Sequence, residues 1–161
     1  MRNWVDRPIE LRTLLNPAFL SVLIAEAGAG YQTESDRPLP FALAFLVVPV
    51  VVHEPTREAL PTIATSMFAW LDREPQARLR IPPLARQFVP LTREAIRFGA
   101  NMGAFSFGPD GALISSELAK PAKGTQTADL KQGRKRAHFV GRWLARAGDT
   151  GTILASWGMT V

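Results

Sequence analysis

The feature that most constrains this chain is its longest apolar run, Leu39 to Val52, fourteen residues interrupted only by Pro40 and Pro49. A run with no polar face has to be surrounded by other parts of the chain, because burial of its apolar surface is what it contributes to folding. It is too short to cross a bilayer, which takes about 20 apolar residues in a helix. Five of its last six residues are valine. β-branched side chains favour extended backbone, and proline interrupts helices. The run therefore reads as a strand covered on both faces, or as two strands broken at Pro49.

The 161 residues are 47% apolar and 20% charged, which excludes wholesale disorder and favours a single domain over 1–161. Cysteine is absent. Disulfides, thiol catalysis and Cys-type zinc sites are thereby excluded. The N-terminal stretch Met1–Pro8 has mixed charge and no apolar core. It is not expected to be a signal peptide, and a cytoplasmic, membrane-free protein is the expectation.

Asn16-Pro17 is a helix start: the asparagine oxygen accepts from free first-turn amides, and proline lacks only an N–H that would be unbonded there. Leu20, Leu23, Ile24 and Ala27 follow on one face, and Gly28 and Gly30 are expected to end the helix, leaving 32–38 as a loop. Thr56 to Leu60 reads as a short helical turn. Ile63, Met67, Trp70 and Leu71 share one face of the next helix. Pro82-Pro83 marks a boundary, Leu84 to Phe88 a short helix, Pro90-Leu91 a turn, and Thr92 the cap of a helix running toward Asn101. Thr56-Arg57-Glu58-Ala59-Leu60 echoes Thr92-Arg93-Glu94-Ala95-Ile96, which reads as one capping solution used twice.

The alternation in Ala104 to Phe107, the turn Gly108-Pro109-Asp110-Gly111 and the strand Ala112 to Ser115 make a hairpin. Helix, turn, helix and hairpin is the chain order of a winged helix. The expected fold is thus an α+β, winged-helix-like single domain: helices on a small sheet, a hairpin wing and a long basic C-terminal helix. Loop 120–128 and that helix, 129–147, are candidates for an appended element. Gly133 and Gly141 inside it would admit a closely packed partner helix, and Gly151 to Trp157 reads as a closing strand.

The net charge of +5 is uneven. Between Lys120 and Arg146 there are eight basic residues and a single acid, Asp129, while the rest of the chain is slightly acidic. Such a segment suits nucleic acid, an acidic protein surface or simple solvation. For nucleic acid, Arg93, Arg97 and Asn101 would face a groove at four-residue spacing, with Lys131, Arg134, Lys135, Arg136 and Arg142 holding phosphates. An acidic partner face would use the same residues. The four tryptophans are interface anchors or core, with at least two of them expected in the core. Trp4, Trp143, His53 and Arg57 are the candidate partner contacts.

The catalytic inventory is thin. There are two histidines, His53 and His138, 85 positions apart, with no metal-binding spacing, no phosphate-binding glycine loop and no converging acids. His53 with Glu58 would serve as a general base within a His53, Glu54, Arg57, Glu58 group. The alternative has the His53 ring bonding to backbone at the end of an element. No catalytic residue, metal or cofactor is assigned.

Several strings together resemble a family. They are Trp4…Arg7-Pro8…Glu10…Leu14-Leu15-Asn16-Pro17-Ala18-Phe19, Pro38 to Leu46, His53-x-Pro55-Thr56-Arg57-Glu58-x-Leu60-Pro61, Thr92-Arg93-Glu94-Ala95 and Gly141-Arg142-Trp143. From Trp4 to Trp157 the chain resembles the middle component of bacterial three-component ABC systems. The resemblance implies a small adaptor beside a large SMC-like ABC ATPase and an effector, acting on DNA in defence against phage or plasmids. Related Lamassu-type complexes suggest the same bridging role. The family brings no agreed catalytic residues. A stand-alone winged-helix DNA-binding protein is the rival reading.

Overall fold

The computed structural model describes residues 15–116 and 127–160. The chain order is α1 (Pro17–Ser35), a 3-10 turn (Phe41–Leu43), α2 (Ala44–Val52), α3 (Glu54–Ala59), α4 (Met67–Arg73), α5 (Pro75–Asn101), β1 (Phe105–Phe107), β2 (Leu113–Ser115), α6 (Ala128–Ala145) and α7 (Thr150–Ser156). The described residues are mostly helical, with one two-stranded antiparallel sheet among them. Among the described residues no helix is long and apolar enough to cross a membrane.

The apolar run is not a strand. It is the helix α2, with Leu46 to Val51 all buried, packed against α1, α5 and α6. A helix apolar all round has no 3.6-residue stripe to reveal it, and valine content tips the reading toward strand. Here the surrounding helices override β-branching, and Pro49 is held inside α2.

A second correction concerns α5. Pro82, Pro83 and Pro90 lie within one continuous 27-residue helix, so no boundary, turn or second cap divides it. An interior proline costs about 3 kcal/mol or more. The buried face made by Ala77, Ile81, Ala85, Ala95 and Ile96 supplies the compensating packing. Thr92 is therefore no cap: it is 1% exposed in mid-helix, and its hydroxyl has no hydrogen-bond partner among the described residues. The helix-turn-helix expected in this region is absent for the same reason.

Asn16 caps α1 as expected, accepting from the Ala18 amide at 2.8 Å. The helix, however, runs past Gly28 and Gly30 to Ser35. Those glycines are contact points. A Cβ on Gly30 would lie 2.1 Å from the His138 carbonyl oxygen, and one on Gly141 would lie 1.8 Å from that of Ala27. The α1 and α6 backbones touch there, the close approach that Gly141 foretold. At Gly133 the neighbours are side chains, the end of Leu23 at 3.3 Å and the Phe19 ring at 3.4 Å. Helix α6 is thus central to the core.

The hairpin is present, with Phe105 opposite Ser115 and Phe107 opposite Leu113. Gly111 supplies the positive φ of its turn. Leu39 adds a bridge to Leu113, and the Ser115 hydroxyl donates to the Ala25 carbonyl at 2.7 Å. The hairpin is thereby seated on α1.

The segment after Gly148 is the helix α7, where the sequence suggested a strand. Asp149 caps it, accepting from the Thr152 amide at 3.0 Å. Such a cap stabilises one short turn run that periodicity cannot identify. Trp157 at its end joins Trp70 and Trp143 in an aromatic cluster, with centroids 5.3 and 5.9 Å from Trp70. Each indole N–H is bonded: Trp70 to the Ala59 carbonyl, Trp143 to that of Thr65, and Trp157 to the Met67 sulfur.

Candidate partner-docking site

The basic helix α6 divides its charges between two tasks. Arg134 turns onto α1, where its Nε donates to Glu26 at 2.7 Å and its Nη2 meets the same oxygen. Arg142 donates to Glu34 at 2.9 Å, and Arg146 lies 3.4 Å from the same carboxylate. Two of the expected phosphate holders, Arg134 and Arg142, are therefore committed to the fold. Both ion-paired positions step eight residues along α1 and α6 together, so the two helices run parallel. Burial works against the Glu26 carboxylate, but His138 and Arg134 outweigh it and hold its carboxyl below the usual range.

Lys131 and Lys135 remain exposed beside a shallow cleft that also contains Glu26 and His138. Among the described residues they form no ion pair. Arg136, half-buried, sits one step round the helix from that face.

Of the expected partner contacts, Trp4 lies outside the described residues. Trp143 is 1% exposed in the aromatic cluster, so it is core and cannot be an anchor for another protein. The size that makes tryptophan an interface anchor also makes it the largest filler of a core. His53 caps α3: its Nδ1 is 2.8 Å from the Thr56 hydroxyl and 3.3 Å from the Thr56 amide. Burial first, and then Arg80, hold its ring below the ordinary histidine range. Glu58 accepts instead from Arg57 and from Gln132, both at 3.3 Å, and Arg57 also reaches the Val51 carbonyl. The structure thus does not bring His53 and Glu58 together. The sequence echo is explained differently too, since Thr56 partners a capping histidine and Thr92 is buried in mid-helix. Among the described residues no three histidine, aspartate or glutamate side chains gather as metal ligands do.

Helix α5 carries a site that charge counting along 120–146 missed. Arg78, Arg80, Arg86, Arg93 and Arg97 stand on it against a single acid, Glu94. Arg93, Arg97 and Asn101 are all exposed. Beside Arg86 and Arg93 runs an apolar groove of about 560 Å³. Phe41 lines it from the 3-10 turn, Phe45 from the start of α2, Pro82, Ala85 and Val89 from α5, and Leu154 and Met159 from α7 and the residues after it. Phe41 is 42% exposed, a large apolar ring left in contact with water. The spacing of Arg86, Arg93 and Arg97, seven and then four residues, places all three on one side of a helix. That signal was legible, but reading Pro90 as a break concealed it.

Neither the curated proteins nor the solved structures compared give a match. The family model described as ABC-three component (ABC-3C) system Middle Component 3 matches residues 4–161, nearly the whole chain. On that match the chain belongs to the Middle Component 3 family of ABC-three component systems.

Proposed function

We propose that this chain is a non-enzymatic, cytoplasmic adaptor subunit, bridging an SMC-like ABC ATPase and an effector in a bacterial complex directed against phage or plasmids. The observation that carries this reading is a family match across 4–161. The large apolar side chains left exposed at Phe41, Phe98, Met102 and Phe107 support it, since they are available for protein contact. An adaptor needs surface more than reacting groups, and His53, the best candidate base, is engaged in capping α3.

The test is reconstitution from three purified components. The expected result is a complex containing ATPase and effector that forms only when this chain is present, read by light scattering after size exclusion. Association of ATPase with effector in its absence, or no complex at micromolar concentration, contradicts the reading.

A second reading, a stand-alone DNA-binding protein without the helix-turn-helix of a winged helix, draws on Arg93, Arg97 and Asn101 exposed on one side of α5 just before the hairpin. It requires duplex affinity that falls with salt at a slope of about 0.9 per phosphate contact. A retarded band insensitive to salt, or no retardation, removes it.

A further inference from the structure

We infer that the groove between α2, α5 and the end of α7 seats an acidic amphipathic helix from a partner component, apolar side chains on its floor and carboxylates against Arg86 and Arg93. This rests on the adaptor reading and specifies the chemistry of what docks.

The floor comes first. Phe41, Phe45, Val89, Leu154 and Met159 present carbon, and among the described residues the only polar lining apart from the two arginines is Thr160. About 560 Å³ accommodates several large apolar side chains, the kind that anchor an interface. An amphipathic helix lays such a face into a groove through residues three, four and seven apart.

The rim sets the charge. Arg86 and Arg93 stand two turns apart, about 10.5 Å along the α5 axis. Among the described residues neither forms an ion pair and no carboxylate lines the groove. Two carboxylates seven residues apart on a docked helix match that separation. Guanidinium pairs carboxylate in a two-pronged geometry that fixes register as well as sign.

Other occupants fit less well. A second copy of this chain packed through the same face by a two-fold axis would set Arg86 and Arg93 against their own counterparts. Duplex DNA would lay phosphates over Phe41, Val89 and Met159, burying charge on surface that offers it no donor.

The experiment measures binding of the ATPase and effector components of the same system to the full chain by calorimetry. Three variants are compared: Arg86→Glu with Arg93→Glu, Arg86→Lys with Arg93→Lys, and Lys131→Glu with Lys135→Glu. All four positions are exposed, and circular dichroism checks that each variant is folded. The expected result is that the glutamate pair on α5 weakens binding of one component by about tenfold or more, the lysine pair much less, and the α6 pair by no more than about twofold. A photo-crosslinker at Val89 is expected to label an acidic helical segment of that component. Unchanged binding by the α5 glutamate pair, or a crosslink to DNA or to a second copy of this chain, overturns the groove while leaving the adaptor reading in place. If the unaltered chain binds neither component, both readings fall.

Discussion

The α1–α6 seam and the α2–α5 groove are both rich in arginine, yet their charges do opposite things. In the seam, Arg134 and Arg142 meet Glu26 and Glu34 across two backbones brought together at Gly30 and Gly141. In the groove, Arg86 and Arg93 flank carbon and face no acid among the described residues. The segment with the greatest charge excess in sequence is thus partly neutralised in space. A quieter segment presents its charge to solvent. Charge counted along a chain measures surface potential only after carboxylates from distant segments have been placed beside it.

The seam account breaks first at Gly141. Gly141→Ala drives a methyl into the Ala27 carbonyl, and a loss of more than about 3 kcal/mol is expected in urea unfolding. Gly133→Ala, one helix face but a softer neighbour, is expected within about 1 kcal/mol of the parent, with the gain in helix propensity offsetting a small shift of Leu23. Equal effects at the two sites would show that the backbones do not touch as described. Trp143→Ala is next, at about 3 kcal/mol, since it removes a buried ring packed against both Trp70 and Phe139. A Trp143 that lay in an interface would lose binding and leave stability almost unchanged.

Glu26→Gln sharpens the electrostatic half of the comparison. Because the folded carboxyl is held below its ordinary range, its contribution is present above that range and is lost as pH falls through the lowered value. The variant is expected to lose about 1 kcal/mol near neutrality and to show a flatter acid limb in pH-dependent denaturation. The smallest effect concerns His53. Its folded ring resists protonation, so the unfolded chain takes the proton first and stability declines as pH drops below the ordinary histidine value of 6.5. His53→Asn keeps a capping side chain and is expected to remove that slope, leaving stability at pH 8 within a few tenths of a kcal/mol. An unchanged slope would assign it to another group.

Capping and turn chemistry were the most readable parts of this chain. Asn16-Pro17 and Gly108 to Gly111 are local signals, and both act where the residues stand. The α1–α6 contact was half legible: Gly141 announced a close partner without naming Ala27, because a missing Cβ marks an approach and not its direction. Three misread elements share one cause. In α2, α5 and α7, packing from elsewhere decided between helix and strand, or carried a helix through Pro82, Pro83 and Pro90. The groove was lost with them, since its walls come from residues more than 100 positions apart, Phe41 and Met159.

The claim that binding surface and basic helix are separate regions is tested most directly by hydrogen exchange on the chain, free and bound to its ABC partner component. Slowed exchange on binding is expected across the start of α2, the Pro82 to Arg93 stretch of α5 and the residues following α7. Exchange over 131–138 of α6 is expected to be unchanged. Protection confined to 131–138, with the groove segments unaffected, would contradict the account.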